Sequence, residues 1–354
     1  MPELSVETGT LALYCPIPLV LHPNAAAVQG RSFAWMERFR LFGDGRIPRE
    51  NALATESARV TGSMMPSAPD DLLLLFVTYM YWGFMVDDLV DVGTPEQRSQ
   101  QYRELAPRLL RALESPLVDA PDDPPYVALF RDMRGYVAQH ASPAQTRLWV
   151  DAFHEWLLGV ALELVDARCG VLPTVDGYLF IKMFSSAARA VTSTLEICGG
   201  GGELPAEERE SPAVTALTQA VSVLMNLYAD LFSHGKEASG DYNIINVLMA
   251  ETGVDRDAAV GEAIGLCDRV MVLFLRLRAE VAPRVTPQTR AYLDNLGATL
   301  SGVLDWCATA ARLKSGRATR LERVDQPSRA DTGAPPYPNI AWWWDQLDSS
   351  QGSR

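Results

Sequence analysis

Two groups of oxygen-bearing side chains interrupt otherwise apolar stretches of this 354-residue chain. The first is Asp87, Asp88 and Asp91, closing an apolar run that opens at Leu72. At about 100° per residue, Asp87 and Asp91 stand about 40° apart on a helix, one turn removed. Two carboxylates on one stripe repel, and a helix C-terminus disfavours anions. A divalent cation relieves both penalties, and magnesium suits one or two carboxylates completed by waters and ligand phosphates. A solvated acidic helix end is the plainer alternative. The second group is Asp230, Ser233 and Glu237, with Lys236 beside it, after the apolar positions Val214, Leu217, Val221, Leu224, Leu227 and Phe232. Ser233 and Glu237 are one turn apart, a hydroxyl and a carboxylate able to ligate a hard cation. Capping of an exposed helix edge is the alternative there. Two such groups, each ending an apolar helix, are jointly more specific than either alone.

The elements that must position these groups read as helices. Pro66 and Pro69 mark a break, Asp70 and Asp71 are N-cap candidates, and the next helix runs to about Val90, apolar nearly all round. Ser211 and Pro212 are an N-cap and N1 pair opening the helix that carries the second group. Further helices are expected from Val28 past Trp35 to Leu41, from Arg46 to Met65, from Thr94 to Ala112 and from Pro143 to Val165. Others follow from Pro173 toward Ile197, from Asp255 to Glu280 and from Pro287 to Arg312. The opening segment, with Pro16, Pro18 and Pro23, reads as an extended strap. No stretch sustains the period-two alternation of a strand. The expectation is an all-α, single-domain bundle over residues 1–315, followed by a polar, proline-bearing tail over 316–354 that closes a pocket mouth or packs on the surface.

Composition narrows the partners. The formal net charge of -13 and pI near 4.8 repel nucleic acid and anionic membranes. The longest apolar run, Leu72 to Val86, reads as too short and too polar to span a bilayer. Five scattered cysteines without a CxxC pair argue against a disulfide framework or zinc site and fit a reducing cytoplasm. The start MPELSVETGTLALY lacks the basic region of a signal peptide. The four histidines have no ligand spacing.

Taken together, these residues resemble the class I terpene synthases (terpene cyclases) of the bacterial branch. Trp82 with Asp87, Asp88 and Asp91 resembles that family's aspartate-rich metal motif, and ADLFSHGKEASGDYNIINVL, from Ala229 to Leu248, its second metal motif. Leu304, Asp305, Trp306 and Arg312 resemble the late segment that ends in an Arg-Tyr pair. The resemblance implies an all-α barrel-like bundle around an apolar central pocket, with three Mg2+ ions and basic side chains gripping the diphosphate of an isoprenoid. Asp87 and Asp91 would hold metal on one wall, Ser233 and Glu237 on the other, and Lys236 and Arg312 would contact the diphosphate. Metals and donors stabilise the departing diphosphate, and the resulting allylic cation must be kept from water. Trp82, Phe84, Phe180, Phe232 and Trp306 are candidates to face it, with ordinary core packing as the alternative for each. Farnesyl or geranylgeranyl diphosphate is the implied substrate, and a homodimer is suggested by analogy.

Three polar side chains of the family's pattern are replaced here. Ala229 stands where an Asn ligand is expected, and Asp230, about 60° off the Ser233–Glu237 stripe, is the candidate to replace it. Met183 stands where a diphosphate-sensing arginine is expected, with Lys182 before it, and Ala187 where a glycine breaks the helix. Leu313 replaces the tyrosine after Arg312. A terpene cyclase with an altered diphosphate grip is the favoured reading. A non-catalytic isoprenoid-binding relative and a chain-elongating prenyltransferase are the alternatives; the latter would need a second aspartate-rich motif.

Overall fold

In the computed structural model, residues 9–42, 48–90, 92–118, 120–235, 241–313 and 320–348 are described. Helix α1 (Ala25–Arg38) buries Val28, Phe33, Trp35 and Met36 on one face. It ends before Leu41 because Arg40 turns left-handed at φ 57°. The single helix expected from Arg46 to Met65 is two, α2 (Arg49–Ala54) and α3 (Ser57–Met64). Glu56 divides them at φ 52°, a conformation no right-handed helix continues.

The carrier of the first acidic group, α4 (Asp70–Val90), ends where the sequence pattern places it. Asp70 and Asp71 form its first turn, with Asn24 donating to Asp70 and Arg31 to Asp71. At 21 residues the helix is long and apolar enough to cross a membrane, which corrects the reading of its apolar run as too short. Two thirds of that apolar window is buried within the protein, so it serves as a core helix.

Three long helices follow α4 in the chain. Thr94 with Gln97 forms the capping box of α5 (Pro95–Glu114), and Ser142 with Gln145 that of α7 (Pro143–Cys169). Between them lies α6 (Pro125–His140), whose apolar stripe of Val127, Phe130, Met133 and Val137 was hidden among polar neighbours. The helix expected from Pro173 is broken into α8 (Val175–Ser185) and α9 (Ala188–Cys198). One turn, α10 (Ala206–Arg209), leads to α11 (Pro212–Ser233), where the Val214 N–H donates to Ser211 as the cap pattern requires. α12 (Ile244–Thr252), α13 (Arg256–Val281) and α14 (Pro287–Thr309) follow, capped by Asn243, Asp255 and Thr286. α11 packs against both α13 and α14, and α14 against α3.

One short parallel pair escaped the periodicity reading: β1 (Thr10–Tyr14) with β2 (Arg320–Val324), in register from Thr10↔Arg320 to Tyr14↔Val324. The tail continues through α15 (Pro338–Ala341) and α16 (Asp345–Asp348). Ile340 and Trp343 are fully buried; the Trp343 indole donates to Gln219 at 3.0 Å, and Asn339 donates to Asp176 of α8 at 2.8 Å. The tail is thus tied to α8 and α11, the same helices that frame the second acidic group.

Candidate active site

α4 and α7 run side by side in the same direction, as the ring contacts Tyr79–Phe153 (5.4 Å) and Trp82–Trp156 (6.1 Å) show. The chain after α14 reaches the end of α4, and both α14 and the turn Ala311–Leu313 that follows it pack on α11. Helix α14 therefore brings the carboxyl ends of α4 and α11 to one end of the bundle. This is the arrangement the two oxygen-bearing groups require to act together.

At the α4 rim, the Arg312 guanidinium forks between two carboxylates. Its Nη2 lies 2.5 Å from Asp87 Oδ2, and its Nη1 donates to Asp88 Oδ1. Arg312 is mostly buried while Asp87 and Asp88 are open to solvent. Burial works against its charge, yet the two carboxylates outweigh that penalty and push its pKa up. The same guanidinium stands 5.0 Å over the Phe84 ring, and Phe84 stacks on Trp306 at 5.2 Å and 15°. The Trp306 indole is fixed by donation to the Thr55 carbonyl at 2.7 Å. Arg312, Phe84 and Trp306 thus form one column directed at Asp87.

Trp82 is placed differently. It is buried between α4, α6 and α7, stacked on Phe130 at 4.3 Å, edge-on to Phe153, and donates to the Tyr126 carbonyl at 2.8 Å. Packing accounts for it fully. Phe180 is 45% exposed and contacts Phe184, while Phe232 is buried in the core.

At the α11 rim, Ser233 is buried at the helix end and its hydroxyl donates to the Asp230 carbonyl at 3.4 Å. Asp230 is buried too. Its Oδ2 accepts from the Tyr178 hydroxyl and from the Ile244 N–H at 2.8 Å, and its carbonyl accepts from Asn243 at 3.2 Å. That carboxylate caps α12 and ties it to α8 and α11, a role the helical-wheel position did not disclose. Asp91, Lys236 and Glu237 lie outside the described residues.

The three departures are apolar side chains in apolar places: Met183 and Leu313 are buried in the core, and Ala229 packs against it. Ala187 sits at φ 59°, ψ 17°, at the break between α8 and α9, where a glycine is expected. Sequence reasoning also passed over Asp88 as the second partner of Arg312, and over Glu163, Tyr178 and Tyr242. The signal for Glu163 was a lone acid in the apolar run VALELV of α7. On α7, a Cβ at Gly159 would stand 2.4 Å from the Ser185 nitrogen, so its absence lets α8 close onto α7. Lys182 then reaches Glu163 at 3.2 Å, and Ser185 donates to the same oxygen.

Comparison with known proteins places the whole chain beside one family. The profile described as "Terpene synthase family 2, C-terminal metal binding" matches residues 78–272. Spiroviolene synthase of Streptomyces violens is 31% identical over 346 residues, covering 94% of this chain and 96% of its own. Phomopsene synthase of Allokutzneria albata is 30% identical, covering 94% and 95%. The crystal structure of the SVS_A2 protein from ancestral sequence reconstruction superimposes with a TM-score of 0.85 at 31% identity, covering 96% of this chain and 99% of that one.

Proposed function

The chain belongs to terpene synthase family 2 and is a class I terpene cyclase, a lyase that takes a prenyl diphosphate and a divalent metal; from that premise we propose which of its residues do the work. Asp87, with Asp91, holds metal at the α4 rim, and Ser233, with Glu237, at the α11 rim, around three Mg2+ ions. Arg312 and Lys236 donate to the diphosphate. The donor set suits the ion, since hard oxygens from carboxylate and hydroxyl are what magnesium takes. The observation that carries the reading is the Arg312 fork, in which two neighbouring carboxylates are already arranged about one positive charge.

The bound cations supply neutralisation of the leaving diphosphate. The residues of the chain do the rest. As substrate enters, Arg312 exchanges carboxylate for diphosphate oxygens and stabilises the charge that develops as the C–O bond breaks. Phe84 and Trp306, stacked beneath that guanidinium, present aromatic faces to the allylic cation, an attraction of about 0.5–2 kcal/mol per ring. Asp230 is read here as the brace of α12 and not as the substitute for the missing Asn ligand. The tail is read as part of the one domain. The substrate is farnesyl or geranylgeranyl diphosphate.

The test is purified protein with Mg2+ and C10, C15 and C20 prenyl diphosphates, following diphosphate release and analysing products by gas chromatography. Release with the C15 or C20 substrate, lost in Asp87→Ala, is expected. Silence with all three would leave an isoprenoid-binding protein in place of an enzyme.

A further inference from the structure

A second cationic cluster lies apart from the Arg312 column, on the α8 side of the same bundle end. Helix α8 runs antiparallel to α11: Tyr178 reaches Asp230, while the Lys182 carbonyl, a turn further on, accepts from Asn226 at 3.2 Å. Long helical side chains lean toward the helix N-terminus. Lys182 does so, its ammonium standing 6.0 Å from the Tyr178 ring centroid and 5.3 Å from that of Tyr242. The two rings are themselves 5.2 Å apart. Through Tyr178 and Asp230 the ammonium belongs to the end of α11 that carries Ser233.

Two features of this cluster are costly unless they serve a ligand. Lys182 and Glu163 are mostly buried, with side-chain exposures of 19% and 16%, and a buried ion pair seldom repays its desolvation. The Tyr242 hydroxyl is buried with no hydrogen-bond partner among the described residues. Burial, with the nearby charges of Glu163 and Asp166, pushes its pKa up, so it remains a proton donor at any working pH. An ammonium and a neutral phenol side by side offer N–H and O–H to an anion, and a lysine is a compact point charge suited to phosphate. Meanwhile Met183 and Leu313, where donors to the diphosphate are expected, are apolar and buried.

We infer that Lys182 and Tyr242 form a substitute diphosphate grip in this chain, with Glu163 holding the ammonium until the anion arrives. The inference rests on the proposed diphosphate chemistry. On binding, Lys182 leaves Glu163 for a phosphate oxygen, and Tyr242 donates to the same group. Glu163 is thus a competitor of the ligand, and its removal acts in the opposite sense to removal of Lys182.

The probe is inorganic diphosphate with Mg2+, its affinity measured by titration calorimetry and as inhibition of prenyl diphosphate turnover. Lys182→Met should weaken binding about tenfold and Tyr242→Phe severalfold, while Lys182→Arg stays near wild type. Glu163→Gln should tighten binding severalfold. Should Lys182→Met melt early, Lys182→Gln carries the same expectation. Wild-type affinity in a folded Lys182→Met or Lys182→Gln protein overturns the inference, as does a Glu163→Gln protein weakened as much as Lys182→Met, which marks a purely structural pair. A wild-type protein that does not bind Mg2+–diphosphate at all would overturn the proposed function itself, and this inference with it.

Discussion

Arg312 Nη2 lies 2.5 Å from Asp87 Oδ2, so a cation from the turn after α14 occupies the carboxylate proposed to hold metal. A guanidinium and a metal ion cannot both saturate that oxygen. Arg312 therefore has two opposed effects, competing with metal for Asp87 and gripping diphosphate once substrate is bound. Arg312→Met should lower the Mg2+ concentration at which the protein gains thermal stability, because Asp87 and Asp88 lose their resident charge. The same variant should lose about 10- to 100-fold in kcat/KM, the worth of charge-assisted hydrogen bonds to the leaving group. Arg312→Lys recovers only part of that loss, since an ammonium cannot fork between two oxygens. A Mg2+ midpoint unchanged in a thermal-shift titration of Arg312→Met would contradict the competition.

Asp230 separates a brace from a ligand. Its carboxylate accepts the Ile244 N–H at the start of α12 and the Tyr178 hydroxyl of α8, both in a buried setting. Asp230→Ala leaves those donors unpaired and should cost about 2–4 kcal/mol of stability. The Mg2+ dependence of whatever protein stays folded should match wild type. Denaturant unfolding beside a Mg2+ activity titration decides it. A stable Asp230→Ala protein with a strongly raised Mg2+ requirement would return Asp230 to the role of ligand.

The sequence disclosed the carriers of the site better than their joints. The starts of α4 and α11 were legible because apolar periodicity, Pro69, Ser211 and Pro212 are local signals, whereas α11 ends at Ser233, before the turn to Glu237 that the helical reading assumed. The break at Glu56 was not, because nothing in the residue type demands a left-handed φ. The β1–β2 pair joins segments some 300 residues apart, and five residues of alternation are too few to stand out. The Arg312–Asp88 contact and the Asp230–Ile244 contact are likewise non-local. A helical wheel gives the face on which Asp230 lies, but not which donor the fold delivers to it.

Ala187 holds φ 59° at the joint between α8 and α9, a region that costs an alanine about 1–2 kcal/mol and glycine almost nothing. Part of that relief returns as the greater unfolded-state freedom of glycine. Ala187→Gly should therefore stabilise the protein by about 1 kcal/mol or less. A fall in the denaturation midpoint would mean that the Ala187 methyl group, which packs against the core, outweighs the strain.

Alkaline pH should loosen the fold through its buried phenols. Tyr292 is buried, and that burial pushes its pKa up to about 12 from an ordinary 10, opposed in part by its hydrogen bond with Thr218. A group raised in the folded state contributes stability in full below pH 10 and loses it as pH climbs toward 12. Over that window each such tyrosine removes up to about 1.4 kcal/mol per pH unit. Tyr292→Phe should reduce the slope of stability against pH between 10 and 12, read from urea midpoints in that range. An unchanged slope would show that Tyr292 does not titrate on unfolding.

Phe84 links the Arg312 column, standing 5.0 Å from the guanidinium and 5.2 Å from the Trp306 ring. Trp306 is held independently by its bond to Thr55, so it should stay in place when Phe84 is truncated. Phe84→Leu keeps apolar volume but removes the aromatic face. Two consequences should follow together: Arg312 loses an attraction of about 0.5–2 kcal/mol that helps set its position, and the carbocation loses one stabilising wall. The first predicts a modest rise in KM. The second predicts a shift in the product mixture toward earlier-quenched species, seen by gas chromatography at equal substrate conversion. Phe84→Tyr, which preserves the face, should leave both nearly unchanged. A Phe84→Leu enzyme with the wild-type product mixture would move the cation-facing role from Phe84 to Trp306 alone.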